Sequence, residues 1–353
     1  MSKASGPLVS VCVPTRNRAV WLRESLRTIQ AQDYDLFEIL ISDNASVDET
    51  PRICRELAAA DARVRYLRQD HDVGLHANHN ILIQESRGEL LTFYHDDDLY
   101  DPAVVRESVS FLQRHRDVGL VCSDWNLVDD HGDPIGRREF RGRHVLPGRE
   151  YVERTIRSGR SSLTCSGTMV RRSALGATRF DERGPLGFGD FVVWFQIAER
   201  WAVGHIPKRL WSYRIHRDSL SRRTIFSVTR DYETVLRDYY VGYRKRWPSH
   251  GAVVARWERA MERFLFWALV YEVGRHVSRL NGHRTAGTIF DVMDYALTEQ
   301  EFQEALGHLR AHERGWLRPI IRRGIEAMVH SRRVWPLQRL TSWAPRCWAL
   351  LNR

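Results

Sequence analysis

The sequence predicts an α/β protein built on a doubly wound, mostly parallel sheet and followed by a mainly helical C-terminal region. Three observations carry this. Short apolar runs alternate with helical patterns through the first third of the chain, each run ends in a polar loop, and strand signals stop beyond about Thr224. Strands buried on both faces read as continuous apolar runs, and alternation with helices is the mark of a parallel sheet.

The elements follow in order. Leu8 to Val13 (LVSVCV) is a buried strand ended by Pro14-Thr15-Arg16-Asn17-Arg18, after which Trp21, Leu22, Ser25, Leu26 and Ile29 fall at helical spacing. Phe37 to Ile41 is the second strand; a polar loop at Asp43 to Ser46 follows, Asp48 can cap, and a helix runs through Ile53 and Leu57. Val64 to Leu67 is the third, with Asp70 to Gly74 leading into a helix near Ala77 to Glu85. Leu90 to Tyr94 is the fourth. Asp101-Pro102 then reads as an N-cap and N1 pair before a helix through Val104, Val105, Ser108 and Leu112, and Gly119 to Cys122 is the fifth strand. Further on, Asp130 to Asp133 reads as a hairpin turn, Leu163 to Val170 as a strand, and Trp211 to His216 as a strand with Ser212, Arg214 and His216 on its polar face.

Composition limits what this fold can serve. The 353 residues are 43% hydrophobic, enough for a large core. Five widely spaced cysteines without a Cys-x-x-Cys pair argue against a disulfide framework and against a zinc site, and suit a reducing cytosol. No signal-peptide pattern is present, and the longest uncharged apolar run, Phe264 to Tyr271, is too short to span a bilayer. The net charge of +10 is a C-terminal property: Ala305 to Arg353 holds ten Arg against two Glu. A tail of that charge meets an acidic surface.

The fourth strand ends in His95-Asp96-Asp97-Asp98. Three like charges at the mouth of an open sheet call for solvent or a cation. In a doubly wound sheet the loops at 14–18, 43–46, 71–74 and 96–98 converge on one crevice, which favours a binding site over an acidic helix start. There is no G-x-G-x-x-G and no P-loop, so the usual dinucleotide and nucleoside triphosphate sites are unsupported.

Six segments together resemble a family 2, GT-A-fold glycosyltransferase: VSVCVPTRNR (9–18), ISDNASVDET (41–50), VGLHANHN (73–80), FYHDDDLYDP (93–102), GDFVVWFQIA (189–198) and YRIHRDSLS (213–221). Their order and spacing agree over roughly residues 8–222. The resemblance implies a catalytic domain at 1–223 and a separate helical, basic region at 224–353. It implies an inverting transferase moving a sugar from a nucleoside diphosphate donor to a surface glycan or lipid-linked saccharide. A small natural-product acceptor and a catalytically silent sugar-nucleotide binder are the alternatives.

It also assigns residues. Pro14, Thr15, Arg16 and Asn17 wall the base, and Asp43 accepts the pyrimidine N3–H, which suits uracil because an ionised carboxylate only accepts. Asn44, Gly74, Asn80 and Arg222 complete the donor contacts, with Asp96 and Asp97 near the ribose and the metal shell. Asp98 is the ligand of a divalent metal, Mn or Mg, and His216 is its second protein ligand or a diphosphate contact. Where His95 stands the family often has an acid, which leaves open which aspartate touches the ion. Asp190 is the base that deprotonates the acceptor hydroxyl; as an unaided residue it reads equally as an N-cap. Trp125 and Trp194 read as sugar-stacking or core residues.

Beyond 224, helical patterns run over 228–246, 253–280, 298–310 and a basic amphipathic stretch around Trp316 to Val329. That stretch suits peripheral contact at the inner membrane face, or docking onto the catalytic domain or a second copy. A nucleic-acid partner is not expected, because no motif for one is present.

Overall fold

The computed structural model describes residues 6–140, 142–158, 161–184, 188–216, 219 and 225–262. In chain order these form β1 (Val9–Thr15), α1 (Ala19–Gln30), β2 (Phe37–Asp43), α2 (Thr50–Ala60), β3 (Val64–Arg68), α3 (Leu75–Glu85), β4 (Leu90–Phe93), β5 (Leu99–Tyr100) and α4 (Val104–Arg114). They continue as β6 (Val118–Val128), β7 (Pro134–Arg138), β8 (Val145–Leu146), α5 (Gly148–Ser158), β9 (Met169–Arg171), α6 (Arg172–Leu175), α7 (Gly189–Ala198), β10 (Ala202–Arg214) and α8 (Ile225–Arg246).

The sheet runs β3-β2-β1-β4-β9-β6-β10-β5, with β7 paired to β6 and β8 to β10. β1 to β4 are mutually parallel, as are β6 and β10, and β9 joins the two halves by pairing antiparallel to β4 and β6. Alternating side chains sort the core. Val9, Val11, Val13, Ile39 and Ile41 pack with Leu22, Leu26 and Ile29 of α1, Ile53 of α2 and Leu112 of α4. On the opposite face Cys12 lies against α3, its thiol reaching toward the Leu82 carbonyl.

Two expected strands differ. Of Leu163 to Val170 only Met169 and Val170 lie in a strand, the first two residues of β9. The rest is a loop in which Gly167 has φ +77° and its backbone lies against the Trp211 indole, a fit closed to any side chain. The last strand is much longer than Trp211 to His216: β10 begins at Ala202, ends at Arg214, and carries register shifts between Ile206 and Trp211. His216 therefore lies beyond the strand. Asp130 to Asp133 does form the turn of a hairpin, joining β6 to β7, with Asp129 N–H donating to the Asp133 carbonyl at 3.0 Å.

The chain divides into two compact units, Met1–Thr155 with Arg160–Arg217, and Ile156–Gly159 with Asp218–Arg353. In the second, Trp257 packs edge-on to Tyr243 of α8 at 4.8 Å, and Arg244 donates to Glu258 at 2.8 Å, so α8 folds against residues 251–262. The helical patterns expected beyond 262, the basic stretch around Trp316 included, lie outside the described residues. Among the described residues no helix is long and apolar enough to cross a membrane.

Candidate active site

The four polar loops do meet. Parallel register sets Thr15 beside Asp43, and Asn44 N–H donates to the Thr15 carbonyl at 2.9 Å. Asn17, at φ +52°, accepts from Val47 N–H at 2.9 Å, and its own N–H donates to Ser46 Oγ. Asn44 Nδ2 donates to Asp72 at 2.6 Å and its Oδ1 accepts from Val73 N–H, just before Gly74, whose φ of +88° starts α3. Arg16 pairs with Asp72 at 2.8 Å, and Arg18 stands 3.7 Å from Asp96. Asp48 bridges the starts of both helices, accepting from Ala19 N–H and Thr50 N–H.

Several expected donor contacts are committed elsewhere in this conformation. Asp43 is fully buried: Oδ1 accepts from Ser46 N–H at 2.9 Å and Oδ2 from the Tyr66 hydroxyl at 2.7 Å. Burial, then that bond, pushes the Tyr66 phenol above its ordinary range. Asn80 staples the loop at 180 onto α3, its amide donating to the Phe180 carbonyl and accepting from Phe180 N–H, both at 2.9 Å. Pro14 is buried at the end of β1, whereas Arg16 and Asn17 are exposed at the rim. Arg222 lies outside the described residues.

The acidic run is clamped from below. His95 N–H donates to the Tyr100 hydroxyl at 2.7 Å, the His95 carbonyl accepts from Ser25 Oγ at 3.0 Å, and Tyr100 also meets Ser166 Oγ at 2.7 Å. Asp98 is wholly buried; its Oδ1 accepts from Arg214 N–H at 3.0 Å while Oδ2 has no hydrogen-bond partner and sits 3.6 Å from His95 Nδ1. Of the expected metal pair, the structure joins His216 to Asp97 instead of Asp98: His216 Nε2 is 3.0 Å from Asp97 Oδ2. Trp21 stacks on the same imidazole with centroids 3.8 Å apart.

Electrostatics separate the three aspartates. Burial, then the Asp97 charge, pushes Asp96 up to about 7 and Asp98 well above the carboxylate range. Burial works on Asp97 too, but the His216 bond and the neighbouring His95 and Arg18 hold it below its ordinary value. Asp97 is thus the carboxylate that keeps its charge. An unpartnered buried carboxylate oxygen on Asp98, an ionised Asp97 and an imidazole beside it form a mixed oxygen and nitrogen donor set that fits a divalent cation; ligand atoms of His95, Asp97 and Asp98 lie within 4.8 Å of one another.

Two residues that the sequence does not assign to the site contact the acidic loop or His216. Arg214, its side chain 1% exposed, donates from Nε to the Asp97 carbonyl at 2.8 Å, from one terminal nitrogen to the Asp130 carbonyl at 2.9 Å and from the other to Glu24 at 2.7 Å. Trp21, expected on the apolar face of α1, covers His216. The period-2 pattern that puts Arg214 on the face of His216 is the one available signal.

Asp190 occupies the first turn of α7, two residues past the Phe188 cap position, so it is not the N-cap. Burial raises its carboxyl to about 6, moderated by backbone N–H groups that include those of Phe191 and Cys165. Burial, then the charges of Asp190 and Asp98 among others, raises the Cys165 thiol well above its ordinary value. Gly189 fits here because a Cβ would stand 2.5 Å from His76 Nε2, and His76 is tied through Nδ1–H to the Asp181 carbonyl at 2.7 Å. Trp194 is fully buried and belongs to the core; Trp125 is half-buried and stacks on Trp211 at 5.2 Å.

Comparison with known proteins bears on the family and the fold. Residues 10–178 match the model for Glycosyl transferase family 2. Over 213 residues the chain is 40% identical to a GalNAc(5)-diNAcBac-PP-undecaprenol beta-1,3-glucosyltransferase of Campylobacter jejuni, covering 60% of this chain and 66%, just under two thirds, of that relative. S. aureus TarS 1–349 in complex with UDP-GlcNAc superposes with a TM-score of 0.59 at 17% identity, over 96% of this chain and 92% of that one. The mannosyltransferase PcManGT of Pyrobaculum calidifontis, in complex with GDP-Man and Mn2+, gives 0.55 at 16% identity, over 98% and 86%. Likeness at that identity speaks for the GT-A fold.

Proposed function

We propose that the chain, whose residues 10–178 match the model for Glycosyl transferase family 2, is an inverting, metal-dependent transferase that moves a sugar from a UDP-linked donor to a hydroxyl of a lipid-linked saccharide. The observation that carries this is Asp190: a carboxyl in the first turn of α7, bonded by backbone N–H groups that include that of Cys165, with a proton affinity raised by burial to about 6. A base poised near neutrality is what abstraction of a hydroxyl proton needs.

In this reading Asp190 takes the acceptor proton, the oxygen attacks the anomeric carbon from the face opposite the diphosphate, and the bond to the diphosphate breaks with inversion. One carboxylate suffices for this, unlike the flanking pair of glycoside hydrolysis. Asp97 and His216 would hold the divalent cation, with Asp98 and His95 close to Asp97; Asp97 takes the role the sequence suggested for Asp98. When bound, the ion offsets the charge of the diphosphate leaving group. The Arg16 to Asn17 rim and the Asn44 to Gly74 wall border the base; Asp43, whose oxygens accept from Ser46 N–H and the Tyr66 hydroxyl in this conformation, would take a pyrimidine N3–H on a further lone pair once the loop opens to it.

The acceptor class follows the C. jejuni relative, named for a polyprenyl diphosphate saccharide. The basic segment 305–353 suits the anionic surface where such an acceptor resides, at the cytoplasmic face. The test is calorimetric binding of a panel of UDP-, GDP- and CDP-sugars with Mn2+ and with chelator. UDP-sugars should bind tightest, and chelator should weaken them at least about tenfold. Binding of none of them in either condition contradicts the reading.

A further inference from the structure

We propose that His79, His95 and Cys165 form a second cation site, one for a thiophilic divalent ion such as Zn2+. Their ring nitrogens and Sγ all lie within 4.8 Å of one another. Cys165 Sγ is 3.5 Å from His79 Nε2. In a tetrahedral zinc site, sulfur and nitrogen ligands at their usual bond lengths stand roughly 3.5 Å apart, so this edge of the triangle already has the required span.

His79 is oriented as a ligand. Its Nδ1–H donates to the Leu75 carbonyl at 2.8 Å, which leaves the Nε2 lone pair facing the thiol. Ligating imidazoles are commonly fixed this way, through a carbonyl on the far nitrogen. The ring is wedged against Phe180 and Phe93, with centroids at 4.8 and 5.4 Å, so it has little freedom to turn away. Burial keeps it neutral, as a ligand must be. Cys165 is a free cysteine and, unlike Cys12, Cys54 and Cys122, is not fully buried.

The ligand set is chemically distinct from the carboxylate group next to it. Two imidazoles and a thiolate select a soft or borderline ion over Mg2+. His95 belongs to both groups, since its ring also lies within reach of Asp97 and Asp98. Binding forms a sulfur–metal bond and releases the Cys165 proton to solvent. Three protein ligands leave one position for water. The assignment stands whether or not the chain transfers sugar.

Co2+ titration of the full-length, chelator-treated chain tests it, because thiolate ligation gives an intense near-ultraviolet charge-transfer band that oxygen and imidazole ligands do not. The wild type should develop that band with one equivalent of Co2+ and lose it on addition of Zn2+. Cys165→Ser should abolish it, His79→Gln should weaken it at least about tenfold in Co2+ affinity, and Asp97→Asn should retain it. Absence of the band in the wild type, or its persistence in Cys165→Ser, overturns the site.

Discussion

His216 Nε2 lies 3.0 Å from Asp97 Oδ2, although the two residues are 119 positions apart. The strand that ends at Arg214 and the loop that follows β4 meet there, and Trp21 closes over the imidazole. This pairing selects Asp97 from the three aspartates. Asp97→Asn and His216→Gln should each lower Mn2+ affinity by about tenfold or more, read by calorimetry. Asp98→Asn, which changes the carboxylate that faces inward, should cost less. The reverse ranking would return Asp98 to the metal.

Arg214 holds this loop from beneath. Its guanidinium satisfies the carbonyls of Asp97 and Asp130, and its N–H serves Asp98. Replacing it by Met removes the donors to the Asp97 and Asp130 carbonyls and frees the acidic loop. Arg214→Met should cost on the order of 3 kcal/mol in urea unfolding and weaken Mn2+ binding as well. Glu24→Gln, at a half-exposed partner, should change stability by less than about 1 kcal/mol. Equal stability of Arg214→Met and wild type would remove Arg214 as the clamp.

The distinction between what is read from sequence and what needs the fold is physical. β1 to β4 were legible because strands covered on both faces leave unbroken apolar runs, as at Val9 to Val13, and their loops project from one edge by topology alone. The first half of β10 was not, because Gly204, His205, Pro207, Lys208 and Arg209 interrupt its pattern and its bulged pairing with β6 is long-range. Leu163 to Val170 has strand composition, yet the positive φ at Gly167 and the close approach to Trp211 turn most of it into loop. The Asp43 carboxylate reads as an open acceptor until Tyr66, on the neighbouring strand, is seen to bind it. Arg214 and the His79, His95 and Cys165 triangle are juxtapositions of distant segments with no local signature.

The raised affinity of Asp190 for its proton sets a pH dependence. A general base acts only when ionised, and burial moves its ionisation up to about 6. The kcat/KM of transfer should therefore be flat above that pH and fall about tenfold per unit below it. The loss occurs as pH drops through about 6 because a raised value means the proton is retained to higher pH. A limb near the ordinary aspartate value of about 4 would show Asp190 to be solvated and unsuited to this role.

The central claim is that Asp190 moves the acceptor proton while the crevice at β1 to β4 holds the donor. Asp190→Asn tests both halves in one protein, since the amide keeps the shape and loses the base. Transfer to a polyprenyl diphosphate saccharide, followed by release of UDP, should fall by at least about a hundredfold, while calorimetry shows UDP-sugar and Mn2+ binding within about threefold of wild type. Transfer at near wild-type rate by Asp190→Asn would contradict the account.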